Sequence, residues 1–195
     1  MLYFLLFVLE VFVLYLLSRR VIKKLFRILP VWLIAILFLP GTLIHELSHW
    51  AMASILFVHT GKFSVWPKRE ENVVILGSVA IAKTDFVRRT LIGVAPFLFG
   101  TAIILGVLIS KIYLALVAYI IFEIGNTMFS SRKDLEGTWI FFVFSIAIAI
   151  AFYFLGVRII IPSEIFEVIK QADNLLLIPI SLDLVLVTIL SILVH

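Results

Sequence analysis

The sequence predicts an all-α polytopic membrane protein with about six transmembrane helices and a small β-hairpin at the membrane surface. Hydrophobic residues make up 64% of the 195 residues, and the mean hydropathy of +1.24 lies far above that of a soluble domain. Charged residues make up only 14% and gather in short patches between long apolar runs. A chain of this length has room for one membrane domain, residues 1–195, and for no separate soluble domain.

Net charge and cysteine content narrow the partners and the chemistry. The formal charge of +4 comes from loop Lys and Arg, which favours contact with anionic membrane lipid over nucleic acid. The chain has no cysteine, so disulfides are excluded and no thiol can act as a nucleophile or metal ligand. Any bound metal must therefore be held by His and carboxylate side chains.

The first predicted span covers residues 2–17 and is interrupted only by Glu10. A cleaved signal peptide has its positive charges before the apolar core, whereas here Arg19, Arg20 and Lys23 follow it. We therefore expect a retained helix. An ionisable group at mid-membrane is costly, so Glu10 should pack inward against a partner or lie near a water-filled cavity.

The second predicted span, residues 31–58, is longer than the roughly 20 residues needed to cross the hydrocarbon core. A tilt or a bend is therefore expected. Pro40 and Gly41 lie about one turn before His45 and are placed to supply that bend.

An H-E-x-x-H motif formed by His45, Glu46 and His49 lies inside this apolar span. Residues four apart share a helix face, so both imidazoles can reach one Zn²⁺, and Glu46 can take a proton from water beside the metal. A random arrangement of the 4 His and 8 Glu would contain the motif about 0.003 times. The alternatives are a hydrogen-bonded histidine pair between helices and a bis-histidine haem site, and neither requires the intervening Glu.

The pattern changes after this span and predicts the β-hairpin at about residues 62–82. Residues 62–67 alternate between polar and apolar, and residues 73–82 are rich in β-branched side chains. One interpretation is an ordinary connector. The functional alternative is an edge strand that pairs with an extended substrate peptide.

Four further spans are predicted at residues 90–110, 112–129, 138–161 and 175–194. Gly93, Pro96 and Gly100 in the first of these permit close helix contacts or a bend. Residues 162–173 should form a short amphipathic link before the last span.

A catalytic zinc usually has three protein ligands and one position open for water. His59 and His195 are poorly placed, so a carboxylate is expected as the third ligand. The candidates are Glu10, Glu123, Asp134 and Asp183. Asp134 could lie level with the histidines, because the second and fourth spans leave the membrane on the same side. Glu123 shares a helix face with Asn126 and could contact the metal ligands without contacting the metal itself.

These features resemble the site-2 protease family of intramembrane zinc metalloproteases. The H-E-x-x-H motif in a transmembrane helix, a β-rich loop and a later Asn-to-Asp segment follow in that order. The family's later motif reads N-x-x-P-x-x-x-L-D-G, and Asn126 and Asp134 have the same eight-residue separation. The stretch Gly93-Val-Ala-Pro96 also looks like the family's small-residue segment after the β region.

The resemblance covers roughly residues 31–137, the family's catalytic core. It implies that Asp134 is the third zinc ligand and that Asn126 faces the substrate chain. Departures from the motif are Phe129 in place of Pro, Lys133 in place of Leu, and Gly137 three residues after the Asp rather than one. The loop of about thirty residues is too short for the inserted peptide-binding domain that many relatives carry, which implies a divergent, minimal member.

The activity implied is that of an intramembrane zinc metalloendopeptidase, a multi-pass protein of the cell membrane. It would hydrolyse peptide bonds of transmembrane protein or peptide substrates, with Zn²⁺ held by His45, His49 and Asp134 and with Glu46 as the catalytic base. The first alternative is a catalytically silent relative that serves as a membrane scaffold or chaperone. Such proteins usually lose the Glu or a ligand, which are intact here. The second is a transporter or haem-binding protein that uses the two histidines.

Overall fold

The computed structural model describes residues 2–70, 73–109, 114–129, 147–148, 151–152, 154–156 and 163–193. This part of the chain is mostly helical and contains one small antiparallel β region, as the sequence predicts. Its main helices are α1 (Leu2–Ile28), α2 (Val31–Leu37), α3 (Leu39–Ile55), α4 (Phe86–Ile109), α5 (Leu114–Thr127) and α6 (Ser163–Leu193). Its strands are β1 (Thr60–Ser64), β2 (Lys68–Glu70), β3 (Val73–Ile75) and β4 (Ser78–Ile81).

The first and last helices are longer than the sequence predicts. The predicted span 2–17 lies inside α1, which continues to Ile28 because its basic segment is built of good helix formers and contains no Gly or Pro. The predicted separate link at residues 162–173 is wrong, since α6 runs unbroken over 31 residues. Neither Gly nor Pro occurs between Ser163 and Ile178, so nothing in the backbone interrupts that helix.

The bend predicted in the second span is confirmed. The axes of α2 and α3 meet at an angle of 72° across Phe38. Pro40 lies in the first turn of α3, where an N–H would have no partner within α3. Because proline has no N–H, it cannot continue the hydrogen bonding of α2 into α3. The helix that carries the H-E-x-x-H motif, α3, therefore runs in a different direction from α2.

The predicted hairpin is also confirmed, as two nested antiparallel pairs. Strand β1 pairs with β4, and β2 pairs with β3 between them. The β1–β4 register is irregular between Thr60 and Phe63, so the Thr60–Ile81 pair is offset from the Phe63–Val79 and Ser64–Ser78 pairs. Strand β4 contacts α3 directly.

Two helices of the described chain are long and apolar enough to cross a membrane, at Phe86–Ile104 within α4 and Leu176–Leu193 within α6. The α2–α3 pair would be a third if it forms one bent span. The described part of α5 covers 14 residues, Leu114–Thr127. These helices indicate membrane association. The six spans predicted from the sequence are more than the two or three that the described helices show. Predicted span 138–161 lies largely outside the described residues.

Helix α3 packs against both α4 and α5, and α5 packs in turn against α1 and α6. The buried cluster that joins α1, α4, α5 and α6 consists of Leu14, Ile104, Ile121, Ile124, Met128 and Leu176. This packing brings the backbone of α4 and the C-terminal end of α5 alongside α3.

Asp85 caps the start of α4. Its carboxylate accepts a hydrogen bond from the Arg88 backbone N–H at 3.1 Å and lies 3.2 Å from the Arg88 guanidinium. The backbone hydrogen bond, with a smaller contribution from the Arg88 charge, lowers the pKa of Asp85 below its ordinary value. Asp85 therefore helps to fix where α4 begins.

Candidate metal centre

The two motif histidines meet on one face of α3, as their spacing predicts. Their Nε2 atoms are 3.3 Å apart, and their ring centroids are 4.9 Å apart with the planes at 80°. His49 is buried at 4% exposure, and His45 is half-buried.

The Nδ1 atom of His45 lies 2.5 Å from the Thr127 carbonyl oxygen. Thr127 is the last residue of α5, and the carbonyls of a helix's last turn have no partner within the helix. The end of α5 therefore supplies a fixed acceptor for His45.

The Nδ1 atom of His49 lies 2.7 Å from the Ile92 carbonyl oxygen of α4. Both residues are buried, with Ile92 at 3% exposure. The two histidines are thus oriented by backbone groups of two different neighbouring helices.

These contacts settle which nitrogen of each ring carries the proton. A carbonyl oxygen can only accept, so the Nδ1 atoms of His45 and His49 must both donate. In a neutral imidazole the Nε2 atom is then an unprotonated lone-pair donor. Two such lone pairs facing each other across 3.3 Å repel unless a proton or a metal ion lies between them.

A tetrahedral zinc ion fits this separation. With Zn–N bonds of roughly 2.0–2.1 Å and a tetrahedral angle, two ligand nitrogens are about 3.3–3.4 Å apart, which matches the observed Nε2–Nε2 distance of 3.3 Å. Axial ligands of a haem lie on opposite faces of the macrocycle. Two nitrogens this close leave no room for that ring between them, so a bis-histidine haem does not fit.

The carboxyl group of Glu46 lies beneath the turn that joins β3 to β4. Glu46 is 6% exposed. A Cβ added to Gly77 would come within 2.9 Å of Glu46 Oε1, 2.8 Å of Glu46 Cγ and 2.7 Å of Thr42 Cγ2. Only glycine fits at this approach, so residue 77 is part of the wall around Glu46. The sequence analysis missed this role, although a glycine inside a β-branched run often marks a close backbone approach.

The predicted third ligand, Asp134, lies outside the described residues. Within the part of the chain that the structure describes, no group of three His, Cys, Asp or Glu side chains is arranged to hold a metal. Glu123 instead points to the first turn of α3, where its Oε2 atom accepts from the Gly41 N–H at 3.4 Å. This places a fully buried carboxylate at the start of the motif helix, and the predicted support of the metal ligands by Glu123 stays a prediction.

Asn126 and Asp183 form a buried pair that joins α5 to α6. The Asn126 side-chain amide donates to Asp183 Oδ1 at 2.8 Å and to the Phe122 carbonyl at 3.0 Å. Asn126 is 4% exposed and Asp183 is 0% exposed. The substrate contact predicted for Asn126 stays a prediction, and Asp183 is engaged with the amide rather than with a metal-ligand group.

A cavity of about 530 Å³ extends from His49 to strand β4. Its lining residues are His49, Val79, Ile81, Ala82, Lys83, Thr84, Arg89, Ile92 and Gly93.

Strand β4 has one edge that faces away from β1. The Ala82 N–H donates to the His59 carbonyl at 3.0 Å, on the side of β1. Because successive N–H groups of a strand point to opposite edges, the Ile81 N–H points away from β1. Within the described chain β4 pairs with β1 alone.

No protein-family model, curated protein or solved structure matches this chain.

Proposed function

We propose that this chain is an intramembrane zinc metalloprotease, a divergent and minimal member of the site-2 protease family that it resembles. One observation carries the proposal. Both motif imidazoles donate from Nδ1 to backbone carbonyls, and their Nε2 atoms lie 3.3 Å apart on the helix that also carries the buried Glu46. This is the arrangement by which proteins commonly orient histidine ligands of a metal.

In this proposal His45, His49 and Asp134 hold the metal. When bound, Zn²⁺ supplies a Lewis acid that polarises the peptide carbonyl and makes water a nucleophile near neutral pH. The two Nδ1–H bonds keep the imidazoles in the ligating tautomer and restrict their rotation.

Glu46 is the general base. It accepts a proton from the attacking water and passes that proton to the leaving nitrogen as the C–N bond breaks. Its burial under the Gly77 turn supports this role, since a carboxylate packed against that turn keeps one position.

The substrate is an extended stretch of a transmembrane protein that adds to the free edge of β4. Carbonyls inside a helix are already hydrogen-bonded and shielded, so a helical substrate must unwind before its peptide bond can be attacked. Strand addition supplies that backbone pairing. The cavity supports the proposal because the outward-facing edge of β4 and His49 line the same space.

The proposal includes the multi-pass arrangement of six spans. The outward faces of α1 and α6 support it, since large apolar side chains such as Leu9, Phe12, Val185 and Ile192 are more than half exposed there. Faces of this kind suit contact with lipid.

Zinc content of the purified protein in detergent tests the proposal. The wild type should hold one zinc per chain, and His45→Ala, His49→Ala and Asp134→Ala should each lose most of it. His59→Ala is the matched control, because that exposed histidine is no proposed ligand. A wild type without zinc would refute the proposal, and full zinc retention in Asp134→Ala would make Glu123 the next candidate ligand.

A further inference from the structure

We infer that Pro96 is a positioning residue for the metal centre, because it leaves the Ile92 carbonyl free to hold His49. The inference rests on the proposed function and deepens it. Pro96 would touch neither metal nor substrate, and it would act only through Ile92 and His49.

The hydrogen bonding of α4 is interrupted at Pro96. In an α-helix the N–H of each residue bonds to the carbonyl four residues earlier. Helix α4 runs from Phe86 to Ile109 with Pro96 inside it, so the regular partner of the Ile92 carbonyl would be the N–H of residue 96. Proline has no N–H, and its ring pushes the carbonyl four residues earlier away from the helix axis.

A buried carbonyl released in this way needs another donor, since leaving it unpaired is costly. His49 Nδ1 supplies that donor at 2.7 Å. The bond satisfies the carbonyl and fixes the His49 proton on Nδ1 at the same time. Its consequence is that the Nε2 atom of His49 faces the Nε2 atom of His45.

The two histidines thus use the same device in two forms. Each histidine donates to a backbone carbonyl of a neighbouring helix, and that helix provides no regular N–H donor for the carbonyl. For His45 the carbonyl is free because α5 ends at Thr127, and for His49 it is free because of Pro96.

Pro179 offers a matched control. It is likewise inside a helix, α6, and likewise fully buried. The carbonyl that it frees belongs to Leu175, which has no part in the proposed centre. Replacing either proline by alanine removes a buried ring and adds an N–H, but only at residue 96 does the new N–H compete for the acceptor of His49.

The experiment measures zinc affinity of the full-length protein in detergent by competition with a chelator. Pro96→Ala should bind zinc roughly 10- to 100-fold more weakly, the usual loss when the partner of a metal-ligating histidine is removed. Pro179→Ala should bind like the wild type. Unchanged zinc affinity in folded Pro96→Ala, with affinity lost in His49→Ala, would overturn this inference while leaving the proposed function standing. A wild type that binds no zinc would overturn both.

A second measurement puts the inference at risk of refutation even if Pro96→Ala does not fold. Imidazole ¹⁵N chemical shifts of the zinc-free wild type should show the His49 proton on Nδ1. In folded Pro96→Ala the Nε2-protonated form should gain population. A wild-type His49 whose Nδ1 carries no proton would refute the inference.

Discussion

Replacement of Gly77 by alanine should separate catalysis from metal binding. The added Cβ would lie 2.8 Å from Glu46 Cγ and 2.7 Å from Thr42 Cγ2. Gly77 has no positive φ that would strain alanine. The effect of the substitution is therefore steric and falls directly on the proposed base.

The size of the effect follows from these distances. Ordinary contact begins at 3.4 Å, so Glu46 Cγ must move away by about 0.6 Å, the difference between 3.4 and 2.8 Å. Thr42 Cγ2 would be equally close to the added Cβ, so the turn cannot relieve the contact by moving toward Thr42. Misplacement of a reacting group by about 1 Å can cost roughly 10²-fold in rate. For a shift of about 0.6 Å we expect turnover to fall by at least about tenfold.

The assay combines cleavage of a transmembrane substrate with zinc content. Zinc should be retained in Gly77→Ala, because the contacts of His45 and His49 are not touched. Gly106→Ala is the control, since a Cβ at that helical glycine would meet nothing within 4 Å. Turnover at the wild-type rate in Gly77→Ala would show that the β3–β4 turn lifts freely from Glu46, and the proposed confinement of the base would be wrong.

Three further outcomes are expected. Gly41→Ala should weaken zinc binding, because its Cβ would come 2.5 Å from Thr127 Oγ1 and drive α3 away from the carbonyl that holds His45; wild-type affinity would contradict this. Ile81→Pro should slow cleavage with zinc and folding intact, since proline removes only the outward N–H of β4; unchanged turnover would remove β4 from substrate binding. The melting temperature of the wild type should exceed that of Asp85→Asn above pH 3.8, the ordinary pKa of Asp85, and the difference should vanish as the pH falls through the lowered folded-state pKa. A difference that does not depend on pH would exclude the charge of Asp85 as its cause.

The sequence predicted those parts of the site that depend on local spacing. A separation of four residues places His45 and His49 on one helix face in any α-helix. A proline and a glycine before the motif predict the bend that the structure shows at Phe38. The alternation and β-branched content of residues 62–82 likewise identified the hairpin.

The parts that depend on tertiary contact were not predicted. The acceptors of the two histidines are backbone carbonyls of Thr127 and Ile92, and a carbonyl carries no side-chain signature in a sequence. The approach of Gly77 to Glu46 and the pairing of Asn126 with Asp183 arise from packing between distant segments. Pro96 had no predicted role toward His49, because its effect on the Ile92 carbonyl matters only once α3 lies alongside α4.

The central claim is that Glu46 performs acid–base chemistry at a zinc site. Cleavage of a transmembrane substrate by purified Glu46→Gln, measured beside zinc content and melting temperature, tests it most directly. The amide keeps the size of the side chain but loses the oxygen that accepts the proton of water. General-base assistance is worth roughly 10²- to 10⁴-fold, so turnover should fall at least that far while zinc content and melting temperature stay at wild-type values. Cleavage at the wild-type rate by a folded, zinc-loaded Glu46→Gln protein would contradict the account.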